Sequence, residues 1–146
     1  MLTASVGCLT KQKQARVYYA TVNRVIDGDT IKLTNGERVR YIGVDTPELH
    51  HPKIPVQYFA KEAKEFNEAL VGGKGVRLEF DIEKRDKYGR LLAYVYVGDA
   101  FVNARLVEEG YAQIMTIPPN VKYAEEFLKL QQEARRENRG LWGKKK

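Results

Sequence analysis

The sequence predicts an α+β domain, most of it a small β barrel with helices packed outside. Three observations carry this. Apolar residues alternate with a period of two along residues 17–42, the period changes to helical over residues 56–71, and short strand-like runs return before two further helical stretches. At 146 residues the chain has the size of one domain with one hydrophobic core.

Tyr18, Ala20 and Val22 begin the alternation, and Ile31 and Leu33 continue it. Asn35-Gly36 then separates Ile31-Lys32-Leu33 from Val39-Arg40-Tyr41-Ile42, a strong local signal for a tight hairpin. Over residues 56–71, Val56, Phe59, Ala60, Ala63, Phe66 and Leu70 share one helical face, Lys61, Glu62, Lys64 and Glu65 the other, and Gly72-Gly73 ends the helix. Strands are expected through Val76, Leu78, Phe80 and Ile82 and again through Leu92, Tyr94 and Tyr96, followed by a turn at Gly98-Asp99. Asn103 is the expected N-cap of a short helix ending at Gly110. A final helix is expected over residues 123–139, with Ala124, Phe127, Leu128 and Ala134 inward and Gly140 as its stop.

Composition narrows the class of function. Apolar residues at 43% and charged residues at 30% describe a folded globular chain, and no apolar run approaches the ~20 residues that a spanning helix needs. A net charge of +6 favours a polyanionic partner without identifying one. The single cysteine, Cys8, excludes an internal disulfide framework and a cysteine-held zinc. Residues 1–15 read either as a plain leader or as the remnant of a secretory lipoprotein signal with a lipid on Cys8. Against the second stands Ser5, at a position where such signals usually carry Leu. A single folded domain is expected over 16–143, with a basic tail at 144–146.

Three polar clusters fall at expected strand ends or loops. Ile26-Asp27-Gly28-Asp29-Thr30 puts two carboxylates around a glycine, and by itself is an ordinary turn. Val39-Arg40-Tyr41-Ile42-Gly43-Val44-Asp45-Thr46-Pro47-Glu48 crowds two carboxylates and a threonine into a proline-fixed turn. Asp29 and Asp45 with the Thr46 carbonyl would offer the oxygen ligands that a hard cation takes. Arg85-Asp86-Lys87-Tyr88-Gly89-Arg90 is a cationic loop; Arg90 with Arg40 would clamp a phosphate bidentately, which lysine does less well.

Taken in this order, with a helix between the second and third, these motifs resemble the staphylococcal nuclease family from about Val22 to Trp142. The resemblance implies an OB-fold, a five-stranded Greek-key barrel with three helices, and a Ca²⁺-dependent endonuclease acting on DNA and RNA and leaving 3′-phosphate ends. Carried over by position, Asp29, Asp45 and the Thr46 carbonyl would hold calcium, with Asp27 supporting the site from outside. Arg40 and Arg90 would bind the scissile phosphate, Glu48 matches the proposed general base, and Lys87 and Tyr88 would contact substrate. The segment Ile114-Met115-Thr116-Ile117-Pro118 departs from the pattern, because relatives place stacking tyrosines there. His50-His51 reads as a solvent-exposed pair. The expected state is a monomer, secreted or envelope-associated, with the cytoplasm left open. The rival reading is a non-catalytic nucleic-acid-binding barrel; such modules typically lack part of the acidic and arginine set, and this chain carries all of it. A calcium-dependent structural barrel leaves the two arginines without a role.

Overall fold

A computed structural model describes residues 17–143. Cys8 and the stretches 1–15 and 144–146 lie outside the described residues. In chain order the elements are β1 (Val17–Asp27), β2 (Thr30–Leu33), β3 (Arg38–Tyr41), β4 (Gly43–Asp45), α1 (Ala60–Val71), β5 (Gly75–Glu79), β6 (Leu91–Val97), β7 (Ala100–Phe101), α2 (Val102–Glu108), β8 (Gln113–Met115) and α3 (Ala124–Arg136). A short 3₁₀ turn, Gly140–Trp142, follows.

Five of these strands close into a barrel. The first half of β1 pairs with β5, from Val17↔Glu79 to Thr21↔Gly75, while its second half pairs with β2, from Val22↔Leu33 to Asp27↔Thr30. Two register shifts, between Val22 and Arg24 and between Val25 and Asp27, interrupt the second ladder. Such bulges bend and twist a long strand, which lets β1 serve two neighbours on a curved sheet. β2 pairs with β3, β5 with β6, and the parallel pairing of β3 with β6 closes the ring. The result is the expected OB-type α+β fold, with Ile31, Leu33, Val39, Leu78, Ala93 and Val95 all but inaccessible in its core. β7 extends the sheet beyond β6, and β4 with β8 forms a separate two-stranded ribbon; alternation in the sequence was too short at these places to announce a strand.

Local details differ from the sequence reading for identifiable reasons. The first helix starts at Ala60, because Phe59 takes the left-handed conformation (φ 71°) and Val56 is left in solvent. Asn103 is not a cap: the residue before α2 is Phe101, and Asn103 is wholly buried within the helix. Its Oδ1 accepts from Val95 N at 2.8 Å and its Nδ2 donates to the Ile42 carbonyl at 2.9 Å, tying α2 to β6 and to the turn between β3 and β4. Leu128 faces solvent, and Gln131 takes an inward place on α3 beside Phe127 and Ala134. The buried Gln131 accepts from Ile114 N at 2.8 Å, so the inward polar residue is spent fixing β8. α3 ends at Arg136, ahead of Gly140, with Asn138 in the left-handed region. Ile82 lies beyond the end of β5 and is exposed.

Candidate active site

Barrel register brings the three polar clusters together around Arg40. On β3, Arg40 lies opposite Thr30 of β2 and, across the closing parallel pair, opposite Leu92 of β6. Asp29 is the neighbour of Thr30, and Arg90 stands just before β6, so both flank the same strand position. The Arg40 side chain is nearly buried, at 13% exposure, and both of its terminal nitrogens are engaged. Nη1 donates to the carbonyls of Tyr41 and Val44, each at 2.7 Å, locking the turn between β3 and β4. Nη2 lies 3.3 Å from Asp29 Oδ2 and 3.2 Å from Asp45 Oδ1.

The carboxylates are ordered by the backbone as well. Asp29 Oδ2 accepts from the Thr46 amide at 2.9 Å, and Oδ1 accepts from the Thr30 hydroxyl at 3.0 Å. Asp27 Oδ1 accepts from the Asp29 amide at 3.2 Å. The intervening Gly28 is required by packing, since a Cβ there would stand 2.7 Å from Thr46 side-chain atoms and 2.8 Å from Ala63. Burial, reinforced by the Asp29 charge, pushes the Asp27 carboxyl up to about 7. Burial also raises Asp45; the Arg40 charge opposes this, while Asp29 and Glu48 add to it. The site is therefore a pocket of negative charge that one guanidinium only partly offsets.

Glu48 sits on the loop after β4, and its main chain is held from both sides by Gln57. Glu48 N donates to Gln57 Oε1 at 2.6 Å, and Gln57 N donates to the Glu48 carbonyl at 3.0 Å. The carboxylate accepts from His50 N at 3.2 Å. Both histidines are exposed, as expected, although the His50 ring reaches the Ile26 carbonyl at 3.0 Å.

Arg90 is aimed by Asp86. Asp86 Oδ2 accepts from Arg90 Nε at 2.7 Å, and Oδ1 accepts the Arg90 and Tyr88 amides at 3.0 and 2.9 Å. Burial would raise the Asp86 carboxyl, but these bonds outweigh it and hold it below the usual range. The loop borders a groove of about 540 Å³ whose walls include Arg40, Arg90, Tyr88, Met115 and Ile117. Tyr88 is 72% exposed, with the Arg90 guanidinium 5.5 Å from its ring centre; Lys87 Nζ lies 5.2 Å from the same ring. Met115 and Ile117, also exposed, occupy the wall where the sequence departed from the tyrosine pattern. A second hollow of about 450 Å³ opens on the other side, bordered by Asp45, Thr46, Gln57 and Trp142.

Besides Gln57, three supporting residues escaped the sequence reading because amide side chains carry no periodic or charge signal. Asn67, fully buried on α1, accepts from the Tyr41 hydroxyl at 2.7 Å and donates to the Asp27 carbonyl at 3.0 Å. Asn120 pairs with both backbone groups of Glu83 at 2.8 and 2.9 Å, fixing the groove's far wall. Gln113 lies opposite Asp45 on the ribbon and hydrogen-bonds its carboxylate.

This arrangement has known counterparts. A family model described as "Staphylococcal nuclease homologue" matches residues 38–144. The chain belongs to the staphylococcal nuclease family. It is 48% identical over 124 residues to the thermonuclease of Staphylococcus intermedius, covering 83% of this chain and 74% of that protein. It is 43% identical over 143 residues to endonuclease YncB of Bacillus subtilis (strain 168), covering 94% of this chain and 68% of that one. The SPbeta prophage-derived endonuclease YokF of the same organism is 45% identical over 129 residues, covering 85% of this chain and 44% of its own length.

The staphylococcal nuclease fold raises the question of a metal. Among the described residues no group of three or more His, Cys, Asp or Glu side chains gathers as a metal cluster. What the site offers is the ordered carboxylates of Asp29 and Asp45, both oxygen donors, in surroundings that raise Asp27 and Asp45. A hard cation fits that chemistry, because a positive ion would restore the ionised form of the crowded carboxyls.

Proposed function

We propose that this chain is a calcium-dependent endonuclease that hydrolyses DNA and RNA with low sequence specificity, leaving 3′-phosphate ends. Membership of a family whose members here are a thermonuclease and two endonucleases supports an enzyme hydrolysing nucleic acid. The observation that carries the catalytic reading is the convergence of Arg40 on Asp29 and Asp45 beside a groove that also holds Arg90. A non-catalytic binding barrel needs the cationic wall but has no use for an arginine shared between two buried-edge carboxylates.

Asp29, Asp45 and the Thr46 carbonyl would hold calcium, with Asp27 supporting them; the ion supplies Lewis-acid polarisation of a phosphate oxygen. Arg90, its Nε committed to Asp86, presents its terminal nitrogens to the phosphate. Arg40 has both Nη atoms engaged with protein, which leaves Nε and the outer edge of Nη2 for the same phosphate. Two guanidinium groups stabilise the negative charge that grows as phosphorus becomes five-coordinate. Glu48 accepts a proton from, or orients, the attacking water. Tyr88 and Lys87 at the rim receive the base and backbone of the bound strand.

The test is cleavage against binding in the Glu48→Gln variant with single-stranded DNA, duplex DNA and RNA. Removing a general base is expected to lower kcat by about 10²–10⁴-fold with oligonucleotide affinity retained. The 3′ ends of the wild-type products should carry phosphate. A variant cutting at the wild-type rate, or products ending in a 3′-hydroxyl, contradicts the corresponding part of the reading.

A further inference from the structure

We propose that His50 is a positioning residue that holds the Glu48 carboxylate in register with the Asp27–Asp29 strand end; this rests on the nuclease reading of the site. The loop after β4 is anchored to itself at Glu48, where Gln57 takes both backbone groups. That clasp fixes the main chain of Glu48 but not its carboxylate, which turns about three side-chain bonds. Nor does it set the loop's distance from the barrel. His50 supplies both missing constraints.

Its amide donates to Glu48 Oε1 at 3.2 Å, committing one carboxylate oxygen and leaving the other for water. Its ring Nε2 lies 3.0 Å from the carbonyl of Ile26, 24 residues away in sequence. Because a carbonyl only accepts, Nε2 must carry the proton in this contact. Ile26 immediately precedes Asp27-Gly28-Asp29, so the ring of His50 ties its main chain to the carboxylate strand end, and the backbone amide of the same residue then reaches the oxygen of Glu48. His51 does something different: its Nδ1 accepts from Lys53 N at 3.0 Å, a bond internal to the loop. The histidine that matters is therefore the first of the pair.

His50 is exposed, so its hydrogen bonds contribute little to folding. The expected signature is a change in chemistry with the fold intact. A displaced catalytic group can cost up to about 10²-fold in rate. For a group that is loosened but not removed, His50→Ala is expected to lower kcat by about tenfold with KM within about twofold and an unchanged thermal midpoint. His50→Gln, whose amide can still donate to Ile26, should recover most of the rate. In the Glu48→Gln background the His50→Ala change should have no further effect, since the group it positions is gone.

Unchanged kcat in His50→Ala, or a full loss persisting in the Glu48→Gln background, overturns the proposal and leaves the nuclease reading standing. A wild-type chain that cuts no nucleic acid overturns both. Independently of activity, ¹⁵N spectra of the imidazole in the wild-type chain should show the proton on Nε2; a neutral ring protonated on Nδ1 alone would overturn the tether.

Discussion

Nη2 of Arg40 lies 3.3 Å from Oδ2 of Asp29, and the same nitrogen lies 3.2 Å from Oδ1 of Asp45. One guanidinium thus spaces the two carboxylates while its other arm ties the Tyr41 and Val44 carbonyls. An ammonium group cannot reproduce four contacts from a planar fork. Arg40→Lys is expected to reduce kcat/KM by about 10²–10³-fold. It should also lower unfolding free energy by about 1–3 kcal/mol, because buried acceptors lose their partners. Steady-state kinetics and urea unfolding check the two effects; near-wild-type values in both would remove Arg40 from the centre of the site.

The groove wall predicts how substrate is held. Tyr88 is the exposed aromatic among the residues that line it, and Met115 and Ile117 line the same groove. Base stacking on an aromatic is worth about 1–3 kcal/mol, so Tyr88→Ala should weaken oligonucleotide binding by about 5- to 150-fold. Replacing Met115 by Tyr should strengthen it. Fluorescence titration with short single strands measures both; if Tyr88→Ala binds unchanged, the groove does not receive bases at this rim.

A pH effect on stability arises away from the groove. Glu79 is buried, which raises its carboxyl, but hydrogen bonds from Lys122, Tyr123 and Tyr96 together with the Lys122 charge outweigh burial and leave it lowered. A carboxyl lowered in the folded state stabilises above its unfolded value of about 4.3 and loses that contribution as pH falls through the folded value. Glu79→Gln should therefore be less stable than wild type at pH 7, with the gap narrowing steadily below about pH 4. Urea midpoints at pH 7 and pH 3.5 test this, and a gap that stays constant would contradict it.

Much of the barrel was legible because β2, β3 and β6 bury alternate or continuous apolar residues and Asn35-Gly36 marks its hairpin. The closing pair was not legible, since a parallel contact between Val39–Tyr41 and Leu91–Ala93 leaves no local signature. The charged members of the site stood out in the sequence as clusters. Its scaffolding did not: Asn67, Gln57 and Asn120 act through single amides whose partners lie 9 to 40 residues away. Gly43 shows the same limit. Nothing in the sequence singled it out, yet its φ of 80° and a ring carbon of Phe127 at 2.7 Å from any added Cβ make glycine necessary there.

If the carboxylates around Arg40 hold calcium as proposed, phosphodiester hydrolysis depends on that ion. The most direct measurement is release of acid-soluble nucleotides from single-stranded DNA by the wild-type chain, with added Ca²⁺, with a chelator, and with Ca²⁺ restored after chelation. Cleavage that requires Ca²⁺, stops on chelation and returns on re-addition is the predicted result. Cleavage that continues undiminished in the chelator would rule out calcium dependence.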